Sequence, residues 1–411
     1  MAEQVGKFTL DKISENGEVS FNANGEMDLF GEEALTQLSG AGGQTAPKWI
    51  NASPKFWTPY VEIPATGDCS HWRKFMTLAL GLAVVLFAGI LQGTFILPMS
   101  HTRDWKWEHN WFVFSLLGMF VLNSIIGFAT IPVLFSIYAA TPHSTLLLLG
   151  TLGLGWGTGA ILFGLGMDRL GMSLGYPIIM GLIAVLGGLI PFVLFHSNDL
   201  FSRRGCIYLL GTVLAISGII LCSKAAARRD RERSSTVNAP ANLLSGLLIA
   251  ISAGILSSLP NLGISVSAAL TNAGDSFGVP PARAANAVWV LFFSMGFVVN
   301  GAYCLWQMQR KSQLSNLFHH ATPRNLALIF AMAAMWIGSF YIYGIGTSLL
   351  GSTGAILAWP LFICTSILIG NFWGLRAGEW TSSTPAARNT LRAGMAILLL
   401  SVIVIALVNL G

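Results

Sequence analysis

Long apolar runs alternate with short polar breaks along most of this chain. From Phe75 onward ten such runs stand out, at 75–98, 111–138, 144–167, 172–195, 205–222, 243–270, 282–307, 325–346, 352–375 and 388–410. Each is close to or beyond the roughly 20 residues of helix that cross a hydrocarbon core. The pattern predicts ten transmembrane helices in an all-α membrane protein. Before Phe75 the character changes. Residues 1–70 are polar with Gly/Asn/Glu punctuation; KFTLDKISENGEVSF reads as a hairpin turning at Asn16-Gly17, and the remainder reads as extended.

The longest charged interruption of the membrane part, Lys224 to Arg233, falls between the fifth and sixth runs and continues into STVNAPAN. It divides the chain into a polar acidic extension (1–72), a first five-helix unit (73–223), a basic linker (224–242) and a second five-helix unit (243–411). The two units echo each other. WGTGAILFGLGMDRLGMSLG from Trp156 returns 180 residues later as WIGSFYIYGIGTSLLGSTG from Trp336, placing Trp156 on Trp336, Gly164 on Gly344, Gly166 on Gly346, Leu170 on Leu350, Gly171 on Gly351 and Ser173 on Thr353. A shorter echo relates Gly89-Ile90-Leu91 to Gly254-Ile255-Leu256. The repeated glycines are expected at a tight turn between closely packed helices. Because the third and fourth runs correspond to the eighth and ninth, the offset is five spans. An odd offset inverts the copies across the bilayer, which is a transporter architecture with its site near the midplane.

Composition agrees with a membrane protein: 54% of residues are hydrophobic and 10% charged, with a mean hydropathy of +0.65, against the roughly 25% charged of soluble domains. The net charge of +5 is unevenly placed. Residues 1–70 carry four Lys/Arg and ten Asp/Glu, so the basic character belongs to the membrane loops and argues for no nucleic-acid partner. Five cysteines without CxxC spacing read as core residues. Seven histidines lie at run ends or in loops without the spacing of a metal site, and no metal or cofactor is expected. Gly155 to Ala160 fits GxGxxA, but inside an apolar run it reads as helix packing, not dinucleotide binding.

Polar side chains inside spans must face protein or a water-filled cavity. The amides are Gln92, Asn123, Asn261, Asn286, Asn300 and Asn371; each could equally be an interhelical hydrogen bond, but as a set spread over both halves they read as a lining. Trp156, Trp289, Trp336, Tyr341, Tyr343 and Trp359 lie at depth rather than in the interfacial belt. Aromatic faces stack on the C–H faces of sugars while amides hold hydroxyls. The candidate substrate-binding set is therefore Gln92, Asn123, Trp156, Asn261, Asn286, Trp289, Trp336, Tyr341, Tyr343 and Trp359. Pro132, Pro177, Pro191, Pro260 and Pro360 fall inside runs and favour kinks; a broken turn at Pro260-Asn261 would present free carbonyls beside an amide.

GMDRLGMSLGYPI after a Trp-Gly-rich helix, GILSSLPNLGISVSAA followed by FGVPPARAANAVWV, and GNFWGLRAGEW resemble the L-rhamnose–proton symporter family of the drug/metabolite transporter superfamily. The resemblance covers most of Phe75 to Leu410 and implies ten helices in two inverted five-helix repeats with alternating access to a central site. The expectation is a secondary transporter, not an enzyme, that moves a small polar solute such as a sugar or related metabolite. The alternative is a non-transporting subunit of the same fold, whose tail docks a partner protein or a second copy through residues 1–70. No Asp, Glu, His or Lys falls inside the ten runs, which predicts transport without proton coupling, Asp168 being the best remaining carboxylate. The resemblance implies a bacterial inner membrane; five basic residues fall on the amino-terminal side of the membrane and fourteen on the other, which predicts both termini non-cytoplasmic.

Overall fold

The computed structural model describes residues 19–21, 27–29, 69–233, 243–319, 322–351 and 354–408, and the chain divides into two compact units, Met1–Gly67 and Asp68–Gly411. In the first, β1 (Val19–Phe21) pairs antiparallel with β2 (Met27–Leu29), Val19 opposite Leu29 and Phe21 opposite Met27. The expected turn at Asn16-Gly17 lies outside the described residues.

Among the described residues the second unit is all helical. Ten of its helices are long and apolar enough to cross a membrane: α1 (Phe75–His101), α2 (Trp107–Thr130), α3 (His143–Leu170), α4 (Gly175–Phe195), α5 (Arg203–Glu232), α6 (Leu243–Ser276), α7 (Pro281–Arg310), α8 (Pro323–Leu349), α9 (Gly354–Arg376) and α10 (Pro385–Val408). Proline opens α7, α8 and α10, where its missing N–H costs nothing. At α8 the Thr322 hydroxyl also accepts from the Asn325 N–H at 3.2 Å. Outward-facing Phe135, Leu147, Leu244 and Leu248 are exposed, as suits helices whose surroundings are lipid.

Several boundaries depart from the apolar runs. The run 111–138 ends as a helix at Thr130, because Pro132 forces the residue before it out of helical geometry; Ile131 sits at φ −133°, ψ 77°, and a short helix, Leu134–Ala140, follows. Conversely, α5 runs to Glu232, well beyond the run ending at 222. A helix needs no apolar residues once it leaves the hydrocarbon, so its last turns carry Arg229, Asp230 and Glu232. α2 likewise begins early enough to include Glu108, which is buried. The ten apolar runs themselves hold no carboxylate, and Glu108 sits in the helical turn that precedes the second run.

α3 and α4 form a tight helical hairpin. A Cβ on Gly175 would stand 3.1 Å from the Gly166 carbonyl oxygen and 3.3 Å from the Leu170 Cβ, whereas nine residues of straight helix would separate such positions by about 13.5 Å. At the equivalent turn between α8 and α9, Gly351 adopts φ +76°, a conformation that favours glycine. Gly171, Ser173 and Thr353 lie outside the described side chains. α6 is discontinuous, built from Leu243–Ser257, Leu259–Ser265 and Ala268–Ser276. Its first break falls at Ser258, just before Pro260.

The helices pack through small residues. α1 lies against α8 and α9, α6 against α3 and α4, α7 against α2 and α3, α2 against α8, α4 against α5 and α9, and α5 and α9 against α10. Gly157, in the stretch that fits GxGxxA, brings α3 against α7, where an added Cβ would stand 2.8 Å from the Gly296 carbonyl oxygen. Cys222, Cys304 and Cys364 are buried free thiols as expected, while Cys206 is exposed.

Candidate functional site: a tryptophan-lined cavity

A cavity of about 630 Å³ lies among α1, α3, α4, α6, α8 and α9, within the range of small-molecule sites. Its floor is aromatic. Trp156 and Trp336, each midway along its span, stack with ring centroids 5.8 Å apart at 24°. Phe340 packs edge-on to Trp336 at 5.2 Å. Trp359 is fixed by its indole N–H donating to the Ile183 carbonyl at 2.8 Å.

Polar groups interrupt the apolar walls. The Gln92 side-chain carbonyl accepts from the Ser339 hydroxyl at 2.8 Å. Asn371 donates to the Ile367 carbonyl at 2.9 Å, and the hydroxyls of Ser223 and Ser366 donate to carbonyls of their own helices. Such back-bonded hydroxyls keep lone pairs that can accept from a solute.

Towards its mouth the cavity is lined by the ends of α1, α3, α5 and α9 and the beginnings of α2 and α4. Consecutive spans joined by short connections alternate in direction, so these ends share one membrane face, the one carrying the fourteen basic residues. Arg229 there bonds Glu379 at 2.8 Å and Asp230 at 3.0 Å, and its guanidinium sits 4.8 Å from the Trp380 ring centroid. The Arg229 side chain is 12% exposed. Across the mouth Trp107 stacks on Trp111 at 5.4 Å, and the Trp111 indole donates to Asn300 at 2.9 Å.

Of the ten sequence candidates, Gln92, Trp156, Trp336 and Trp359 line this cavity. The other six lie in buried interhelical networks. Asn123 donates to the Trp289 carbonyl at 2.8 Å and its side-chain carbonyl accepts from the Tyr341 hydroxyl at 3.1 Å. Asn286 accepts from the Trp289 indole at 2.9 Å and donates to the Tyr341 carbonyl at 3.2 Å. Asn261 donates to the carbonyls of Gly187 and Ala355 and accepts from Tyr343.

The rim residues Trp107, Trp111, Arg229, Glu379 and Trp380 were not singled out as substrate contacts from sequence. The i, i+4 spacing of Trp107 and Trp111 was their one legible signal. Asp168 is exposed and outside the cavity lining, and its neighbour Arg169 reaches the Ser245 hydroxyl at 3.4 Å.

Ten membrane-length helices around an amphiphilic cavity at mid-membrane, open to one face, define a secondary membrane transporter of a small solute. The chain belongs to the L-rhamnose–proton symport protein (RhaT) family, whose model matches residues 76–411. It is similar to the L-rhamnose–proton symporter of Klebsiella pneumoniae (strain 342), with 26% identity over 340 residues, covering 80% of this chain and 98% of the relative. The symporters of Citrobacter koseri and Escherichia coli (strain 55989 / EAEC) are each 24% identical over 331 residues, covering 79% of this chain and 96% of the relative. The family is one of transporters, not enzymes, and the protein is an integral protein of the bacterial inner membrane.

Proposed function

We propose that this protein carries a sugar or closely related polyhydroxylated metabolite, by alternating access between two inverted five-helix halves, 73–223 and 243–411. The observation that carries the solute class is the Trp156–Trp336 stack flanked by Gln92. Indole faces suit the apolar face of a pyranose, and the Gln92 amide, whose carbonyl is engaged by Ser339, offers its N–H groups to a hydroxyl.

The two-half reading is supported by close approaches that recur five helices apart. Gly81 of α1 lies under Leu350, just past the end of α8, as Gly246 of α6 lies under Leu170 at the end of α3. Gly89 meets Thr365 and the Phe362 carbonyl of α9 as Gly254 meets Leu182 and the Ile179 carbonyl of α4. Gly118 of α2 faces Trp336 as Gly296 of α7 faces Trp156. The mid-membrane cavity counts against the alternative of a non-transporting subunit.

The relatives are symporters by name, and a carboxylate, Glu379, stands in the lining, which favours coupled over uncoupled transport. Glu379 is the one carboxylate among the described lining residues, paired with Arg229 just beyond α9, and it is the group through which coupling is proposed to act. Titration of the purified protein with L-rhamnose, followed by intrinsic fluorescence, tests the solute site. A saturable change that is lost in the Trp156→Phe, Trp336→Phe double variant supports it, and an unaltered response in that variant contradicts it.

A further inference from the structure

A second cavity of about 370 Å³ lies on the opposite face, lined by Ser265, Thr271, Asn272, Thr347, Ser348 and Ala355 among others. These residues come from the ends of α6 and α8 and the beginning of α9, which lie away from the mouth of the tryptophan cavity. Five hydroxyls and an amide, from Ser265, Ser267, Thr271, Thr347, Ser348 and Asn272, stand among its small apolar residues, whereas aromatic and large aliphatic side chains make most of the other cavity. We propose that it is a solute vestibule, and that the layer formed by Asn261 and Tyr343 is the closed gate between vestibule and tryptophan cavity. This rests on the transport reading above.

Pro260 and Trp359 line the tryptophan cavity, while Ile264, Gly344 and Ala355 line the vestibule. Asn261 falls between Pro260 and Ile264, and Tyr343 between Phe340 of the tryptophan cavity and Gly344; neither lines a cavity and both are wholly buried. The Asn261 amide donates to the Gly187 carbonyl at 2.6 Å and the Ala355 carbonyl at 2.7 Å, and its oxygen accepts from the Tyr343 hydroxyl. One side chain therefore ties α6 to α4, α8 and α9. Tyr343 is held in turn against Trp359 and Phe362, at 5.8 Å and 5.0 Å between centroids.

The backbone at this layer is jointed. Asn261 sits on Leu259–Ser265, a short helical piece bounded by the break at Ser258 and the non-helical Val266 and Ser267. A piece with a joint at each end can tilt without unwinding its neighbours. A gate closed by hydrogen bonds also suits a hydroxylated solute, whose groups can replace the Tyr343 hydroxyl and the two carbonyls as it passes. By the same repeat the counterparts of Asn261 and Tyr343 are Ile96 and Phe163, both on the wall of the open cavity. That face therefore closes by apolar contact and this one by polar contact.

The test places single cysteines in a full-length protein whose native cysteines are replaced, in sealed vesicles of each orientation, and measures reaction with a membrane-impermeant thiol reagent. Thr271→Cys reports the vestibule, Ser223→Cys the mouth of the tryptophan cavity, and Ser257→Cys its depth. Thr271→Cys is expected to react from one face, and Ser223→Cys and Ser257→Cys from the other. Adding Tyr343→Phe, which keeps the ring, is expected to speed reaction of Ser257→Cys from the vestibule face at least fivefold, and Asn261→Ala should do the same. Reaction of Thr271→Cys and Ser223→Cys from one common face, or no gain at Ser257→Cys with either gate variant, would overturn the gate. Solute uptake is measured in parallel: a reporter that switches faces in a protein without uptake contradicts the transport reading alone, and uptake without switching contradicts the gate alone.

Discussion

Trp156 and Trp336 are 180 positions apart in sequence, midway along α3 and α8, and their rings stack at 5.8 Å. Each is also backed by a glycine of another helix, Gly296 behind Trp156 and Gly118 behind Trp336. The pair is thus held rigidly without a hydrogen bond to either indole being required. If the stack forms the floor of the solute site, Trp336→Phe should weaken solute binding by up to about tenfold, since an aromatic contact contributes about 0.5–1.5 kcal/mol beyond its buried area. The fluorescence titration reads this directly, and an unchanged half-saturation would remove Trp336 from the site.

Asn123 separates structural amides from lining ones. It is fully buried and joins α2 to α7 and α8 through Trp289 and Tyr341. Asn123→Leu removes the bond to the Trp289 carbonyl and the side-chain acceptor of the Tyr341 hydroxyl, which keeps the backbone carbonyl of residue 123 as its partner at 3.0 Å; the loss should lower stability by about 0.5–1.5 kcal/mol. The expected result is a lower thermal midpoint in detergent with solute affinity unchanged in the folded protein. Lost affinity at an unchanged midpoint would move Asn123 into the site.

The glycine contacts between the halves should be intolerant of bulk in matched fashion. A Cβ at Gly89 would stand 2.7 Å from the Thr365 Cβ, and one at Gly254 would stand 2.5 Å from the Leu182 Cβ. Gly89→Val and Gly254→Val should each cost about 1–3 kcal/mol through overpacking. Size-exclusion profiles and thermal melts check this, and two wild-type melts would contradict the packing.

Much of this was legible in the sequence, for identifiable reasons. Hydrophobicity over some twenty residues is a strong signal, so ten spans could be counted, and the Trp156/Trp336 echo pointed to the residues that form the cavity floor. What could not be read was which deep amides face the cavity. Gln92 and Asn123 are alike as letters in apolar runs, and only the rotation of each helix decides that one lines the cavity and the other ties helices together. The rim was hidden for another reason. Arg229 and Glu379 lie 150 positions apart, beyond the apolar limits of their runs, and a boundary drawn at the first charge leaves them outside.

Orientation follows from the loop charges, five on the amino-terminal side and fourteen on the other, which predicts both termini outside the cytoplasm and the tryptophan cavity open to it. In a protein otherwise free of cysteine, Ser20→Cys should react with an impermeant thiol reagent added to intact spheroplasts. Reaction only after the membrane is permeabilised would reverse the assignment.

On this reading a sugar crosses the membrane through the cavity floored by Trp156 and Trp336 and lined by Glu379. Uptake of radiolabelled L-rhamnose and related sugars into proteoliposomes, with and without an imposed pH gradient, tests it most directly. The account predicts saturable uptake by the parent protein, its loss in the Trp156→Phe, Trp336→Phe double variant, and gradient-driven accumulation that Glu379→Gln abolishes while downhill exchange continues. Uptake that is indifferent to the tryptophan pair, or accumulation that survives Glu379→Gln, would contradict it.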